Sequence, residues 1–199
     1  MTKMPELQTD RLFIRPLVME DLEAVNHLLD IELAGTAHYG DAQKAYQKRK
    51  HWMEWAVRNT EALAELKQPP YGERAVILKA TDQLIGLVGY VPCLAPFKQV
   101  FNQDDSEHAP YTTEMGLYYA FSPAHQKEGY ATEAVKALID YAFNHLLLGQ
   151  IVATTEADNE ASLRVMEKLG MAVFRNPLLT PEWLQCVGVL KNPAFAKEA

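Results

Sequence analysis

The stretch Gln126–Ala134 lies where a predicted strand ends and the most regular amphipathic pattern of the chain begins. The first four backbone N–H groups of a helix have no partner inside the helix, and the helix dipole adds partial positive charge there. Gly129 allows a ligand to approach the backbone closely, and Ala131 nearly as closely. This combination is typical of a phosphate or diphosphate site, although a plain turn glycine before a helix explains Gly129 equally well.

Side-chain charge in this segment cancels. Between Phe121 and Lys136, two lysines are balanced by Glu128 and Glu133, so backbone amides would have to hold any anion.

The whole chain carries a net charge of -7, which argues against nucleic acid as the main partner, because basic contacts to phosphates supply most non-specific affinity. A single basic cluster, Lys44, Lys48, Arg49 and Lys50, is interpreted as a solvated helix face.

The elements that must position Gln126–Ala134 alternate between strands and helices. Apolar periodicity predicts helices from Glu20 or Asp21 to Leu33, Ala42–Leu66, Ala131–Leu146 and Asn159–Leu169. β-Branched and alternating runs predict strands at Arg11–Arg15, Glu73–Lys79, Leu84–Val91, Thr112–Phe121, Ile151–Thr155, Met171–Arg175 and Trp183–Leu190. The crossover from Thr112 to Thr155 requires a parallel pair, whereas the flanking hairpins are antiparallel. A mixed sheet with helices on both faces, of class α/β, is therefore expected.

Several other features limit the class of protein. The length of 199 residues favours one domain, residues 1–199, and Cys93 and Cys186 are too few for a disulfide framework. The start of the chain lacks a signal-peptide pattern and no apolar run reaches membrane-spanning length, so we expect a cytoplasmic protein without a membrane partner. The histidines and cysteines show no metal-ligand spacing, so no metal is expected. Pro92–Pro110, with Asp104, Asp105 and Glu107, is expected to be a long irregular loop.

Gln126-x-x-Gly129-x-Ala131 resembles the signature by which GNAT acetyltransferases hold the pyrophosphate of acetyl-coenzyme A. Further segments resemble, in the same order, the Rim-type branch of this family, which acetylates ribosomal-protein N-termini. They are Thr9–Pro16 followed by Asp21, Glu114-Met115-Gly116, Gly129–Ala134, and Asn159-x-x-Ser162 with Glu167–Gly170. The resemblance implies the GNAT fold, with six to seven strands and a central parallel pair that splays apart.

The same resemblance implies where acetyl-coenzyme A would bind. Its pantetheine arm would lie in the splayed gap against the first strand of the pair, and its pyrophosphate would contact amides at the start of the following helix. The implied cofactor-binding residues are Tyr119, Phe121, Gln126, Lys127, Gly129, Tyr130, Ala131, Thr132, Asn159 and Ser162. Asn159 also fits a plain helix N-cap, and both roles are compatible.

The catalytic groups are less well defined by the pattern. Glu114 lies on the strand that leads into the splay and is the candidate base or amine-orienting carboxylate, with an exposed strand carboxylate as the alternative. Many GNAT proteins carry a proton-donating tyrosine seven residues after the asparagine, and here that position is Met166. The Rim-type pattern assigns contact with the leaving thiolate to Ser162, for which an ordinary helix serine is the alternative.

The predicted activity is transfer of acetyl from acetyl-coenzyme A to a primary amine. The acceptor would be a protein N-terminal α-amine, such as that of a ribosomal protein, or a small amine. A non-catalytic acyl-coenzyme A sensor is the alternative, motivated by Met166. The acceptor pocket would be shaped by the first two helices and three connecting segments: 34–41, 92–110 and 176–181. The sequence is compatible with a monomer or a homodimer.

Overall fold

Five α-helices and eight strands form in the described residues, 4–34, 41–101 and 110–195, of the computed structural model. The helices are α1 Leu22–Asn26, α2 Ala42–Glu65, α3 Phe97–Phe101, α4 Tyr130–Asn144 and α5 Glu160–Lys168. The strands are β1 Leu7–Gln8, β2 Leu12–Pro16, β3 Gly72–Leu78, β4 Gln83–Ala95, β5 Thr112–Phe121, β6 Gln150–Thr155, β7 Ala172–Arg175 and β8 Cys186–Lys191. Most of these elements lie within a few residues of their predicted bounds.

The strands form one sheet in the order β1-β2-β3-β4-β5-β6-β8-β7. Its recorded pairings are antiparallel except that of β5 with β6, which is registered at Gly116 opposite Val152. The mixed sheet with one central parallel pair is therefore confirmed, and the limited parallel register agrees with a splayed pair. Two details were not predicted: β1, which is only two residues long, and the insertion of β8 between β6 and β7.

The chain divides into two compact units. Unit 1 comprises Met1–Tyr90 and Tyr118–Leu138, and unit 2 comprises Val91–Leu117 and Ile139–Ala199.

In unit 1, α1 and α2 cover one face of β3 and β4, where Val25, Met53 and Leu87 are fully buried. Tyr90, three positions after Leu87, donates its hydroxyl hydrogen bond to the carbonyl of Leu138 in α4 (2.5 Å). Because side chains alternate along a strand, α4 lies on the opposite face from α1 and α2. The expectation of helices on both faces is therefore confirmed in unit 1.

Unit 2 has its own apolar core. Phe97 and Val100 of α3 are buried there with residues from β4, β6, β8 and the turn before β8, namely Ala95, Val152, Leu184, Val187 and Val189. Residues 92–101 therefore do not form part of the irregular loop that was predicted for Pro92–Pro110. β4 continues to Ala95 and α3 follows, because burial of the apolar side chains of Phe97 and Val100 stabilises the folded chain. The remaining loop positions, including Asp104, Asp105 and Glu107, lie outside the described residues.

The first predicted helix is not one regular α-helix. A 3₁₀ turn, Met19–Asp21, leads into α1, and a π-helical segment, His27–Leu33, follows it. The wider turn is closed by the N–H of Ala34, which donates to the carbonyl of Leu29 five residues earlier (3.1 Å). Apolar spacing cannot reveal this change of pitch. Most of the 34–41 connection lies outside the described residues.

Candidate functional site

A short loop joins β5 to α4 and, together with the first turn of α4, contains six of the ten predicted cofactor-binding residues. It begins with the 3₁₀ turn Pro123–His125, and the side-chain amide of Gln126 then donates back to the carbonyl of Phe121 (3.2 Å). Lys127 and Gly129 adopt left-handed backbone conformations, with φ of +66° and +84°. Glycine adopts such angles without steric cost, so Gly129 favours this turn, whereas Lys127 adopts a left-handed conformation despite its side chain. Residues 126–128 are exposed to solvent.

The loop ends in a set of backbone donors at the start of α4. The internal hydrogen-bond ladder of the helix begins where the N–H of Glu133 donates to the carbonyl of Gly129 (3.0 Å). The N–H groups of Tyr130, Ala131 and Thr132 precede that ladder and are directed out of the helix end. A Cβ built on Gly129 would have Arg11 Nη2 as its nearest heavy atom, at 3.5 Å. These donors, with the space above Gly129, form a cradle of the kind that fits a diphosphate.

Two predicted residues at the end of β5 have different surroundings. Phe121 is 6% exposed, and its ring lies 2.6 Å from the position that a Cβ on Gly86 would take. Its side chain is therefore part of the packing between β4 and β5, and only its backbone is available to the loop. Tyr119 is half-buried two residues earlier. Within the loop, His125 Nδ1 is a buried ring nitrogen for which the described residues provide no hydrogen-bond partner.

Glu114 is half-buried in unit 2, at the beginning of β5. The side-chain amide of Gln150, at the start of β6, donates to its Oε2 (2.8 Å). This contact fixes the carboxylate, so Glu114 is not the freely exposed strand residue that was the alternative prediction. On β4, burial raises the pKa of the Cys93 thiol, and the charge of Glu114 raises it further. Cys93 is thus kept as a neutral thiol, and Cys186 is fully buried.

Asn159 is the N-cap of α5, because its side-chain oxygen accepts a hydrogen bond from the N–H of Ser162 (3.1 Å). The capping interpretation is therefore confirmed, whereas contact with a pantetheine arm stays a prediction. Ser162 is only 9% exposed. Met166 is fully buried, with its Sδ 2.9 Å from the position that a Cβ on Gly188 would take. At the position for which the resemblance implied a proton-donating tyrosine, this chain therefore has a core side chain.

Sequence reasoning did not identify a charged cluster on the α1–α2 side of unit 1. Asp30 accepts two hydrogen bonds from the guanidinium of Arg49 (2.8 and 2.9 Å), and that guanidinium lies 4.9 Å from the ring centre of Trp52. Arg49 is therefore not part of a solvated basic face, which corrects the interpretation of the Lys44–Lys50 cluster. Trp52 packs against the core of unit 1, whereas Trp55 is 53% exposed.

Two further ionisable side chains belong to this cluster. Burial raises the pKa of Glu73 above its usual range, and the positive charge of Arg49 opposes that effect only in part. Burial, reinforced by the charge of Glu73, raises the pKa of Tyr118 to about 12. Glu73 lies on the same face of β3 as Ala75 and Ile77 of the unit 1 core, because every second residue of a strand shares a face. No local signal in the sequence marks Glu73, because its burial depends on packing against α2.

The predicted site residues divide between the two units. Unit 1 holds Tyr119, Phe121 and the loop from Gln126 to Thr132, and unit 2 holds Glu114, Asn159 and Ser162. Within residues 4–34, 41–101 and 110–195, no group of three or more His, Cys, Asp or Glu side chains could hold a metal ion. Across the same ranges, no helix has the length and apolar character needed to cross a membrane.

Comparison with known proteins places these features in a family context. The family model described as "Acetyltransferase (GNAT) domain" matches residues 11–172. YkkB of Bacillus subtilis, named as an uncharacterized protein, is 32% identical over 83% of this chain and 84% of its own length. A crystal structure of an acetyltransferase from Agrobacterium tumefaciens is 25% identical, with a TM-score of 0.63 over 94% of both chains. The ribosomal-protein-S5-alanine acetyltransferase from Vibrio fischeri is 17% identical, with a TM-score of 0.64 over 95% of this chain and 97% of its own.

Proposed function

Because this chain belongs to the GNAT N-acetyltransferase family, we propose that it transfers the acetyl group of acetyl-coenzyme A to a primary amine. Residues 1–199 would act as one catalytic domain, and the loop from Gln126 to Thr132 would bind the diphosphate. The observation that carries this proposal is the set of N–H groups at the start of α4, which Gly129 leaves open.

The loop is suited to hold a diphosphate without much side-chain charge. Amides of Tyr130, Ala131 and Thr132 would donate to phosphate oxygens, and the dipole of the 15-residue α4 helix would favour negative charge at the same place. Tyr119 and Phe121 would offer backbone groups of β5 to the pantetheine arm. Bound acetyl-coenzyme A would supply an activated thioester, whose carbonyl develops negative charge during attack. A backbone N–H of β5 directed at that oxygen would stabilise the charge.

Glu114 is proposed to position the amine and to accept its proton. An alkylammonium with a pKa of about 10 has no lone pair for attack and must first lose a proton. Gln150 holds one oxygen of the Glu114 carboxylate, which leaves the carboxylate in a defined orientation. Ser162, in the first turn of α5, is proposed to contact the leaving thiolate. A thiolate with a pKa of about 8.5 can leave without a strong acid, so the core residue at Met166 is compatible with catalysis.

For the acceptor, we propose a peptide N-terminus of the Rim type. The ordered Rim-type motifs support this assignment, and one solved protein of the same fold is named for acetylating the alanine of a ribosomal protein. An acceptor of this kind would be met in the cytoplasm. The acetylation of a small amine is the competing assignment, because the described residues include no element that excludes it.

A two-stage assay tests the proposal. The first stage measures the thermal shift produced by acetyl-coenzyme A, which we expect in the parent and not in Gly129→Asp, because an added carboxylate would crowd and repel the diphosphate. The second stage measures free-thiol release with N-terminal peptides, polyamines and amino sugars. Glu114→Gln is expected to lower kcat while cofactor affinity stays unchanged. A thermal shift without thiol release across the panel would instead support a sensor of acyl-coenzyme A.

A further inference from the structure

The chain segment that precedes β2 is bound to the first turn of α4 through one carboxylate. The hydroxyl of Thr9 and the backbone N–H of Arg11 both donate to Oε1 of Glu133, at 2.5 and 3.0 Å. Arg11 Nε donates to Oε2 (2.7 Å), and Arg11 Nη2 lies 2.6 Å from the same oxygen. Both oxygens of Glu133 are thus held, and the partners are separated by more than 120 residues in the sequence.

The same guanidinium also contacts the loop itself. Arg11 Nη1 donates to the carbonyl of Glu128 (3.0 Å), and Cζ lies 4.3 Å from the ring centre of Tyr130. Arg11 Nη2 is 3.5 Å from the position that a Cβ on Gly129 would occupy. One side chain therefore contacts the residues on both sides of Gly129, where the backbone turns through a positive φ.

The ion pair also changes the local charge. A carboxylate in the first turn stabilises a helix but opposes an anion that binds at the same helix end. Burial alone would raise the pKa of Glu133, but hydrogen bonds from Thr9 and Arg11 and the charge of Arg11 hold it below its usual range. Glu133 is thus ionised at neutral pH, and Arg11 offsets its charge. The side chain of Arg11 is 44% exposed, so it is also accessible to a ligand.

We propose that Arg11 is a positioning residue of the diphosphate site: it holds residues 128–130 in their binding conformation and neutralises Glu133 beside the bound phosphates. This inference rests on the proposed use of coenzyme A as the acyl carrier. It adds a residue that lies 117 positions before Glu128 in the sequence to the loop that the signature motif defines. The alternative is a purely structural contact between the β2 segment and α4, with no influence on the ligand.

Two acetyl donors separate these roles. Acetyl-coenzyme A carries the diphosphate, whereas S-acetylpantetheine carries the same thioester without it. We expect Arg11→Met to raise the KM for acetyl-coenzyme A at least tenfold and to leave kcat/KM for S-acetylpantetheine unchanged. Arg11→Lys, which keeps the charge and loses the planar fork, is expected to fall between Arg11→Met and the parent. An equal loss with both donors, or no loss with either, would overturn the proposal.

Glu133→Gln and Glu128→Gln form a matched pair, because each removes one negative charge near the cradle. The side chain of Glu133 makes the contacts to Arg11, whereas Glu128 uses only its backbone carbonyl. We expect Glu133→Gln to weaken the binding of coenzyme A and Glu128→Gln to strengthen it. Stronger binding by both variants would contradict a positioning role.

The failure of this inference can be distinguished from the failure of the proposed function. Calorimetric titration with coenzyme A needs no turnover, so it tests Arg11 even when no acceptor amine has been found. If the parent does not bind coenzyme A at all, both proposals fail. If the parent binds and Arg11→Met binds equally well, only the role of Arg11 is wrong. Each ratio between donors is taken on one preparation, so a loss of folded protein cancels.

Discussion

Gly129 and Gly170 offer a matched pair for a test of the cradle. Both have a positive φ, +84° and +75°, and neither would bring a Cβ closer than 3.5 Å to a neighbouring heavy atom. An alanine at either position therefore carries the same backbone strain and no steric clash. Gly129 precedes α4 at the proposed diphosphate site, whereas Gly170 follows α5. A difference between the two variants thus reports on the ligand and not on the fold.

The expected loss of stability is the same for both variants. A left-handed conformation costs an alanine about 1–2 kcal/mol, and the smaller entropy of its unfolded chain returns about 0.4–1 kcal/mol. The net effect is about 1 kcal/mol, which corresponds to a lowering of the Tm by about 2–4 °C in a protein of this length. Without ligand, Gly129→Ala and Gly170→Ala should therefore melt at similar temperatures.

Acetyl-coenzyme A should separate the two variants. At about 100 times its Kd, a ligand stabilises the folded state by about 2.7 kcal/mol, or about 5–11 °C. A methyl group over the amides of α4 should weaken binding at least tenfold. At the same concentration, the stabilisation of Gly129→Ala then falls to about 1.4 kcal/mol, or about 3–6 °C. Differential scanning fluorimetry across a ligand titration measures both values. Equal shifts in the two variants would refute the placement of the diphosphate.

Three further predictions concern side chains outside the cradle. Because the pKa of Glu73 is raised, ionisation of this carboxyl destabilises the fold as the pH rises above the usual carboxyl range. Glu73→Gln should therefore raise the Tm at pH 8 and have much less effect at pH 4, and an equal change at both pH values would contradict this. Met166→Tyr should lower the free energy of unfolding by about 1–3 kcal/mol through overpacking, without raising kcat, whereas Met166→Leu should lower it by less than about 1.5 kcal/mol. A higher kcat in Met166→Tyr would show that this position can supply an acid. Asn159→Ala removes the helix cap and should lower the free energy of unfolding by about 0.5–2 kcal/mol, whereas Asn159→Asp should keep the Tm and raise the KM for acetyl-coenzyme A. An unchanged KM in Asn159→Asp would mean that Asn159 acts only as a cap.

Elements whose signals are local were predictable from the sequence. The apolar period of α4, the capping residue before α5 and the alternation of β5 each lie within one short segment, and the structure places these elements within a residue or two of their predicted bounds. The parallel orientation of β5 and β6 could be predicted from their connection, since a helical crossover between two neighbouring strands makes them run in the same direction. In contrast, the pitch of His27–Leu33 and the continuation of β4 to Ala95 depend on tertiary packing, which the local pattern does not contain.

The candidate site shows the same division at the level of single side chains. Gly129 was identifiable because the chemistry of a diphosphate cradle is concentrated in consecutive backbone groups, which a short motif can encode. Arg11 and Glu73 were not, because their surroundings are created by residues that are remote in sequence: Arg11 meets Glu133 across 122 positions, and Glu73 is influenced by Arg49 of α2. A signature motif therefore specifies the atoms that contact the ligand, while the groups that hold those atoms in place and adjust their charge become visible only in the folded chain. For this protein, variants of Arg11 and Glu133 test that second group of residues separately from Gln126, Gly129 and Ala131.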